Sequence, residues 1–219
     1  MQPSDPSVPT PPPPPPATLP PYRSTEPERD VFNAAAKDDL KLLTYYIEDE
    51  GINSRITSSK PYPMNHISKG DSLLHVAARN NSINVMKYLV EQQEIEPTLP
   101  NNAGDTPLNI ACKEGKMEII QYLIEERHVD IEILGADSRT PLHNACCCWN
   151  TNVVRYLVED CGADIHAKDA NGRTPISIAS TNGNEKTVVF LNTKVPRDNK
   201  EPTKPKKKSK FSLFSRKKK

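Results

Sequence analysis

A motif that begins with Thr-Pro recurs along the chain at a fixed spacing of 34 residues. A period of this length is typical of a solenoid, in which short helical units stack and each unit contacts only its neighbours. One unit cannot bury its own apolar face, so several must fold together. The copies are TPLNIAC from Thr106, TPLHNAC from Thr140, TPISIAS from Thr174, and SLLHVAA from Ser72, which lacks the proline.

Each unit carries local signals for two helices. Threonine before proline can cap a helix whose first position tolerates the missing N–H, and Asn171-Gly172 offers positive φ for the preceding turn. Second helices are predicted from Ile83 to Glu91, Lys116 to Glu126 and Thr151 to Glu159, because their apolar residues recur three and four apart. Tyrosines recur at one phase of these helices, with their hydroxyls expected in water.

These residues resemble the ankyrin repeat. The T-P-L-H core stands at Thr140 to His143 and the G-A-D-I end at Gly162 to Ile165. The resemblance implies an all-α solenoid of about five repeats with short β-hairpin loops. We expect a repeat domain over 30–194, a disordered proline-rich arm over 1–29 and a disordered basic tail over 195–219. The predicted repeats lie near 30–69, 70–103, 104–137, 138–171 and 172–194.

The charge is divided between an acidic body and a basic tail. From Lys194 onward 12 Lys/Arg face two acidic residues, a net of about +10, whereas 17 Lys/Arg face 26 Asp/Glu in the rest, a net of about −9. An acidic body argues against nucleic-acid binding by the repeats. The adjacent cysteines 146–148 do not form a disulfide framework, so we expect an intracellular, reducing compartment.

The first 29 residues hold 12 of the 22 prolines, six of them in a row from Pro11 to Pro16. Such a segment favours polyproline II. Leu19, Pro20, Pro21 and Tyr22 match a motif that WW domains bind, and the proline run equally suits SH3 domains or profilin. The alternative is a solvated spacer.

The first repeat is degenerate, and a long connection follows it. Asp30 to Ile47 reads as a repeat without the T-P-L-H core, as expected of a terminal unit. Residues 53–70 exceed a normal connection and predict an insertion on the hairpin side. Either it is a tolerated loop or it helps to bind a partner.

No catalytic constellation is apparent, and neither an enzyme activity nor a cofactor or metal is expected. His75 and His143 are the repeat's own histidines, which hydrogen-bond across repeats in the ankyrin family. Three consecutive cysteines lack the spacing of metal ligands. Lys186 to Phe190 matches the docking pattern of protein phosphatase 1, but that motif needs an extended strand and here falls on a predicted helix.

Partner binding is expected at the hairpin tips and on the exposed side of the first helices, the concave face that the family uses. Trp149 is a further candidate, since it replaces the glycine of a helix-ending turn and is either exposed as a binding hot spot or folded back over the turn. The predicted protein-binding residues are Asn101, Asn102, Asp105, Lys113, Glu114, Asp137, Arg139, Trp149, Asn171 and Arg173.

The tail places basic blocks around an apolar, serine-spaced centre. It resembles the effector segment of the myristoylated alanine-rich C-kinase substrate, which implies binding to anionic membrane lipid. The same lysines contain K-K-x-K, which predicts nuclear import instead, and a solubilising tail is the third interpretation. The residues concerned are Lys206, Lys207, Lys208, Lys210, Phe211, Leu213, Phe214, Arg216, Lys217, Lys218 and Lys219.

Taken together, the sequence predicts a cytoplasmic adaptor or scaffold, peripheral at the plasma membrane, whose repeats bind an unidentified protein. The alternative is a nuclear regulator whose repeats bind a transcription or signalling factor.

Overall fold

The computed structural model describes residues 26–62 and 67–195. Within these ranges the chain forms five helix pairs: α1 and α2, α3 and α4, α5 and α6, α7 and α8, α9 and α10. Their bounds are α1 Pro27–Ala36, α2 Leu40–Thr44, α3 Leu73–Asn80, α4 Ile83–Lys87, α5 Pro107–Glu114, α6 Met117–Gln121, α7 Pro141–Cys147, α8 Thr151–Arg155, α9 Pro175–Thr181 and α10 Glu185–Lys194.

The second helices of the first four repeats end in a π-helical turn that opens on a tyrosine. These turns are Tyr45–Asp49, Tyr88–Gln92, Tyr122–Glu126 and Tyr156–Asp160. The turn ends where the backbone takes positive φ, as at Gly162 with φ of 78°. The amide after this residue donates to a carbonyl six residues earlier in the helix, as Ala163 N–H does to the Leu157 carbonyl at 2.8 Å. This closure is a Schellman-type end. The last second helix, α10, remains α-helical throughout.

The first helices begin as the Thr-Pro motif predicts. Thr106, Thr140 and Thr174 have extended backbones, and each hydroxyl accepts a hydrogen bond from the amide three residues on. Proline follows at the first helical position in all three. These three helices therefore begin where the Thr-Pro motif predicts.

The first helices form one closely packed layer, in which each packs against the next in the order α1, α3, α5, α7, α9. Small buried residues such as Ala77, Ala111 and Ala145 allow this approach, because a larger side chain would hold the backbones apart. The second helices form a looser second layer. Apolar residues such as Leu89, Leu123 and Leu157, all fully buried, fill the space between the layers. The predicted all-α solenoid of stacked helix pairs is confirmed.

Short loops joined by hydrogen bonds link one repeat to the next. Asn101 N–H donates to the Asp105 carbonyl at 2.9 Å, Gly135 N–H to Arg139 at 2.8 Å and Asp169 N–H to Arg173 at 2.9 Å. These hairpin-type turns repeat every 34 residues. In the described ranges the β-pairing consists of isolated bridges only, Thr57 with Ser72 and Tyr62 with Ile67.

Candidate functional site

The insertion, residues 53–62 and 67–70, folds back onto the first repeat. Tyr62 lies against Phe32 of α1, with ring centroids 6.3 Å apart. Ser59 donates from both its amide and its hydroxyl to Glu28 Oε1, each at 2.8 Å. The insertion is therefore fastened to α1.

The insertion forms one wall of a groove whose other wall is the exposed side of α3 and α5. We call this the insertion groove. Asp105, Lys113 and Glu114, three of the predicted binding residues, lie in it together. It is lined by Pro61, Ile67, Ser68, Lys69, Arg79, Asp105, Ile110, Lys113 and Glu114.

The base of the insertion is fixed by a buried ion pair. Arg79 Nη1 lies 2.6 Å from Asp71 Oδ2, and the Asp71 side chain is fully buried. Asn101 Nδ2 donates to the other oxygen, Oδ1, at 2.7 Å. Because both carboxylate oxygens are occupied, Asp71 holds the hairpin of the next repeat against the insertion.

The hairpin-tip residues divide into two groups. Asn101, Asp105, Arg139 and Arg173 are half-buried, although the period placed them at exposed positions. Their hydrogen bonds explain the difference. Asp105 Oδ1, for example, accepts from the Ala136 amide of the next hairpin at 3.1 Å. The exposed tip residues are Asn102, Asp137 and Asn171.

Asp169 is the most heavily bonded of the hairpin carboxylates. Burial opposes its ionisation, but the amides of Asn171 and Arg173 and the Arg173 guanidinium, 2.8 Å away, outweigh burial and lower the Asp169 pKa to about 2. Arg139 Nε lies 3.8 Å from the same carboxylate. Arg139 and Arg173 therefore brace two neighbouring hairpins.

The motif histidines connect adjacent repeats. His143 Nδ1 accepts from the Thr140 amide at 3.2 Å, so Nε2 carries the proton that reaches the Arg173 carbonyl at 3.1 Å. His75 makes the equivalent bond to the Asp105 carbonyl at 3.1 Å. Burial lowers the pKa of both histidines. Their predicted cross-repeat role is realised.

A row of tyrosine–glutamate hydrogen bonds runs along the second helices. The hydroxyls of Tyr88, Tyr122 and Tyr156 donate to glutamates of the preceding repeat at 2.8, 3.0 and 2.8 Å. The acceptors are Glu48, Glu91 and Glu125. The expectation of hydroxyls in water is wrong for Tyr88 and Tyr122, whose side chains are buried and whose hydroxyls are bonded to protein. The signal was present, since Tyr122 and Tyr156 follow their glutamates by 31 residues.

The row ends at the fifth repeat, where Phe190 replaces tyrosine. The corresponding carboxylate, Glu159, instead pairs with Lys194 Nζ at 2.8 Å. Arg155 lies over the Phe190 ring at 4.6 Å. Phe190 is buried on α10, so the phosphatase-docking pattern of Lys186 to Phe190 is helical here.

Trp149 occupies the turn between α7 and α8 with φ of 55°. Its side chain is 67% exposed, so of the two predicted arrangements the structure shows the exposed one. Trp149 lines a shallow groove with Val189, which is 65% exposed. We call this the Trp149 groove.

The two buried cysteines, Cys112 and Cys146, are not activated. Burial raises the pKa of Cys146 to about 12 and also raises that of Cys112, so both thiols stay protonated at neutral pH. In the described ranges no group of three or more His, Cys, Asp or Glu side chains converges on a possible metal position. Nor does any helix of that part of the chain have the length and apolarity to cross a membrane.

Two predicted segments lie outside the described residues. They are the proline-rich segment, with Leu19, Pro20, Pro21 and Tyr22, and the basic tail from Lys206 to Lys219.

Five stacked helix pairs, four of them opened by a Ser or Thr cap, together with repeated cross-repeat hydrogen bonds define a helical repeat solenoid. A family model described as "Ankyrin repeats (3 copies)" matches residues 31–134 and 127–200. The matches span more than half of the chain, which belongs to the ankyrin repeat family. Ankyrin repeats are a protein–protein interaction module, generally without catalytic activity. A comparison with curated proteins finds no match.

Proposed function

We propose that this chain is a non-enzymatic adaptor that binds a partner protein in the insertion groove. The observation that carries the proposal is the insertion itself, fastened to α1 through Tyr62 and Ser59 and thereby held opposite α5. A fixed wall costs little conformational entropy when a partner binds. A solenoid without the insertion would offer an open surface at this place.

The accessible surface of the groove is mainly charged. Ile67 and Ile110 lie beneath the groove and are each only 2% exposed, whereas Lys69, Lys113 and Glu114 are exposed along it. Such a surface suits a peptide segment that carries charges of both signs. The partner is therefore a protein, in keeping with the family.

The two flanking segments give the adaptor its further contacts in this proposal. Leu19, Pro20, Pro21 and Tyr22 recruit a WW-type, SH3 or profilin-type proline reader. The basic tail associates with anionic lipid, where each basic residue near the surface contributes about 1 kcal/mol and Phe211, Leu213 and Phe214 insert. This places the protein in the cytoplasm at the inner face of the plasma membrane.

A charge exchange tests the groove. Lys113→Glu combined with Glu114→Lys reverses two neighbouring charges without changing net charge or, because both side chains are exposed, the core. We expect affinity capture from cell extract to lose about 90% of the groove-bound partner, equivalent to about 1.4 kcal/mol.

The matched control is Glu126→Lys with Arg127→Glu, an exposed neighbouring pair at the end of the π-helical turn that follows α6. The ion pair that it removes, Glu126 with Lys87 at 3.7 Å, is exposed and contributes little to stability. It should capture the same partner at the intact level. Equal capture by all three chains would refute the groove as the binding site.

Imaging of fluorescent fusions tests the tail. The triple change Phe211→Ala, Leu213→Ala and Phe214→Ala keeps every charge. Signal at the cell edge that this variant loses supports membrane association. Nuclear signal that the variant keeps contradicts it and supports the alternative, an import signal on a nuclear regulator.

A further inference from the structure

The Trp149 groove lies at the turn between α7 and α8 and beside the start of α10. Four large apolar side chains are mostly exposed in the part of the chain that the structure describes, and this groove contains two of them, Trp149 and Val189. It is separate from the insertion groove and shares no residue with it.

The backbone conformation at Trp149 is strained for a bulky residue. The equivalent turn positions in the other repeats hold Asp38, Asn81, Gly115 and Gly183, residue types that adopt positive φ readily. A bulky residue there costs roughly 1–2 kcal/mol. Because the indole is two-thirds exposed, contacts within the described body do not offset this cost. The indole is thus available to a segment outside those ranges.

The chemistry of the groove suits a run of prolines. Its edge carries several hydrogen-bond donors, the Trp149 indole N–H, the Asn152 amide and the cations Arg155 and Lys186, against one carboxylate, Glu185. A proline run has carbonyl acceptors and no N–H donors, and its rings pack against aromatic faces. The two cations disfavour the lysine-rich tail as an occupant.

The proline run of this chain is within reach. From α1 to α7 the first helices are three spacings apart, about 24–30 Å at 8–10 Å each. The length of α1 adds about 15 Å, because Trp149 lies at the opposite end of the helix layer from Pro27. In polyproline II geometry, Pro16 and Pro11 stand about 31 and 47 Å from Glu26. The path of about 40–45 Å falls between these distances.

We infer that Pro11 to Pro16 docks in the Trp149 groove of its own chain, against the indole and Val189. This inference goes beyond the proposed adaptor function and does not depend on the insertion groove. Docking draws the neighbouring Leu19–Tyr22 motif along the surface of the repeats. A proline reader therefore has to compete with the groove for this segment.

The test uses the fluorescence of Trp149, the single tryptophan of the chain. The full chain is compared with a full-length variant that carries Pro11→Ser through Pro16→Ser. We expect the variant to show red-shifted emission and iodide quenching increased at least about twofold, because the indole loses its cover. The control, Pro3→Ser with Pro6→Ser and Pro9→Ser, leaves the run intact and should match the native chain.

Three results would overturn the inference. One is identical emission and quenching in the intact chain and the six-fold variant. Another is exposure of Trp149 on about hundredfold dilution, which would assign the run to a second copy, since intramolecular docking is independent of protein concentration. The third is exposure of Trp149, after removal of residues 204–219, equal to that in the six-fold proline variant. This result would make the tail the occupant of the groove.

Discussion

Trp149 and Gly115 occupy the same turn in successive repeats, with φ of 55° and 72°. The fold imposes the backbone conformation, and the side chain has to accept it. His143 and Asn109 show the same relation at another position, since both reach the backbone carbonyl of the next hairpin, at 3.1 and 3.3 Å. Single positions in this chain are therefore best understood through their equivalents 34 residues away.

The strain at Trp149 can be measured with two substitutions that both remove the indole. Trp149→Gly should be about 1 kcal/mol more stable than Trp149→Ala, because glycine adopts positive φ without a steric penalty and alanine does not. Urea unfolding followed by circular dichroism measures the difference. Equal stability of the two variants would mean that the turn relaxes and holds no strain.

The buried histidines predict a loss of stability in mild acid. Burial lowers the pKa of His75 and His143, so the folded state favours the neutral ring. Their contribution is complete above the unfolded pKa of about 6.5 and is lost as pH falls through the lower folded value. The melting temperature should therefore decline from pH 7 to pH 5.

A double variant isolates this effect. His75→Asn with His143→Asn keeps the cross-repeat hydrogen bond in the form that Asn109 already uses. Its melting temperature should depend less on pH in this window than that of the native chain. An unchanged pH profile would assign the acid sensitivity to other groups.

At the scale of elements, the sequence predicts the parts that repeat. Thr106, Thr140 and Thr174 mark the starts of helices because each caps the helix that follows it. The paired helices could therefore be placed from the sequence. The packing of Tyr62 on Phe32 could not, because the two residues are joined by tertiary contacts across an insertion without periodicity. The insertion groove could therefore be predicted only in part: Asp105, Lys113 and Glu114 were predicted and the insertion was one of two open interpretations, but its position opposite α5 was not predicted.

The insertion should protect the first repeat from local opening. Tyr62→Ala removes a buried ring from α1 and should speed amide exchange of residues 31–36 about tenfold, while α5 stays unchanged. Hydrogen exchange with mass spectrometry measures both helices at once. Lys69→Ala, at an exposed side chain of the insertion, serves as the control and should leave α1 protected. If Tyr62→Ala accelerated amide exchange equally in α1 and α5, a local role of the insertion would be refuted.

At the scale of the whole molecule, stability is shared between neighbouring repeats. The tyrosine–glutamate row and the histidine bonds both cross repeat boundaries, on opposite layers of the stack. Hydrogen bonding to glutamate adds to burial in raising the pKa of Tyr88 to about 12. The neutral hydroxyl is thus favoured in the folded state, and its contribution is lost between pH 10 and about 12.

Removing one hydroxyl from the row should weaken the whole body. Tyr122→Phe leaves the ring in place but deletes the bond to Glu91, and should lower the free energy of unfolding by about 1 kcal/mol. Phe190→Tyr is the matched control: its added hydroxyl should bring little gain, because Lys194 already occupies Glu159. A gain equal to the Tyr122→Phe loss would contradict this account.

The fifth repeat lacks the groups by which the others join a successor. Ser177 Oγ bonds to the Thr174 carbonyl of its own repeat at 2.8 Å, and Thr193, which stands 34 residues after Glu159, offers no carboxylate to a following tyrosine. A sixth unit placed after α10 would find neither a side chain like His143 or Asn109 to bond its hairpin nor a glutamate to accept from its tyrosine. A duplicate of residues 104–137 inserted at 138 would meet both, because it brings its own Asn109, Tyr122 and Glu125. This architecture can be lengthened from within and is closed to growth at this end.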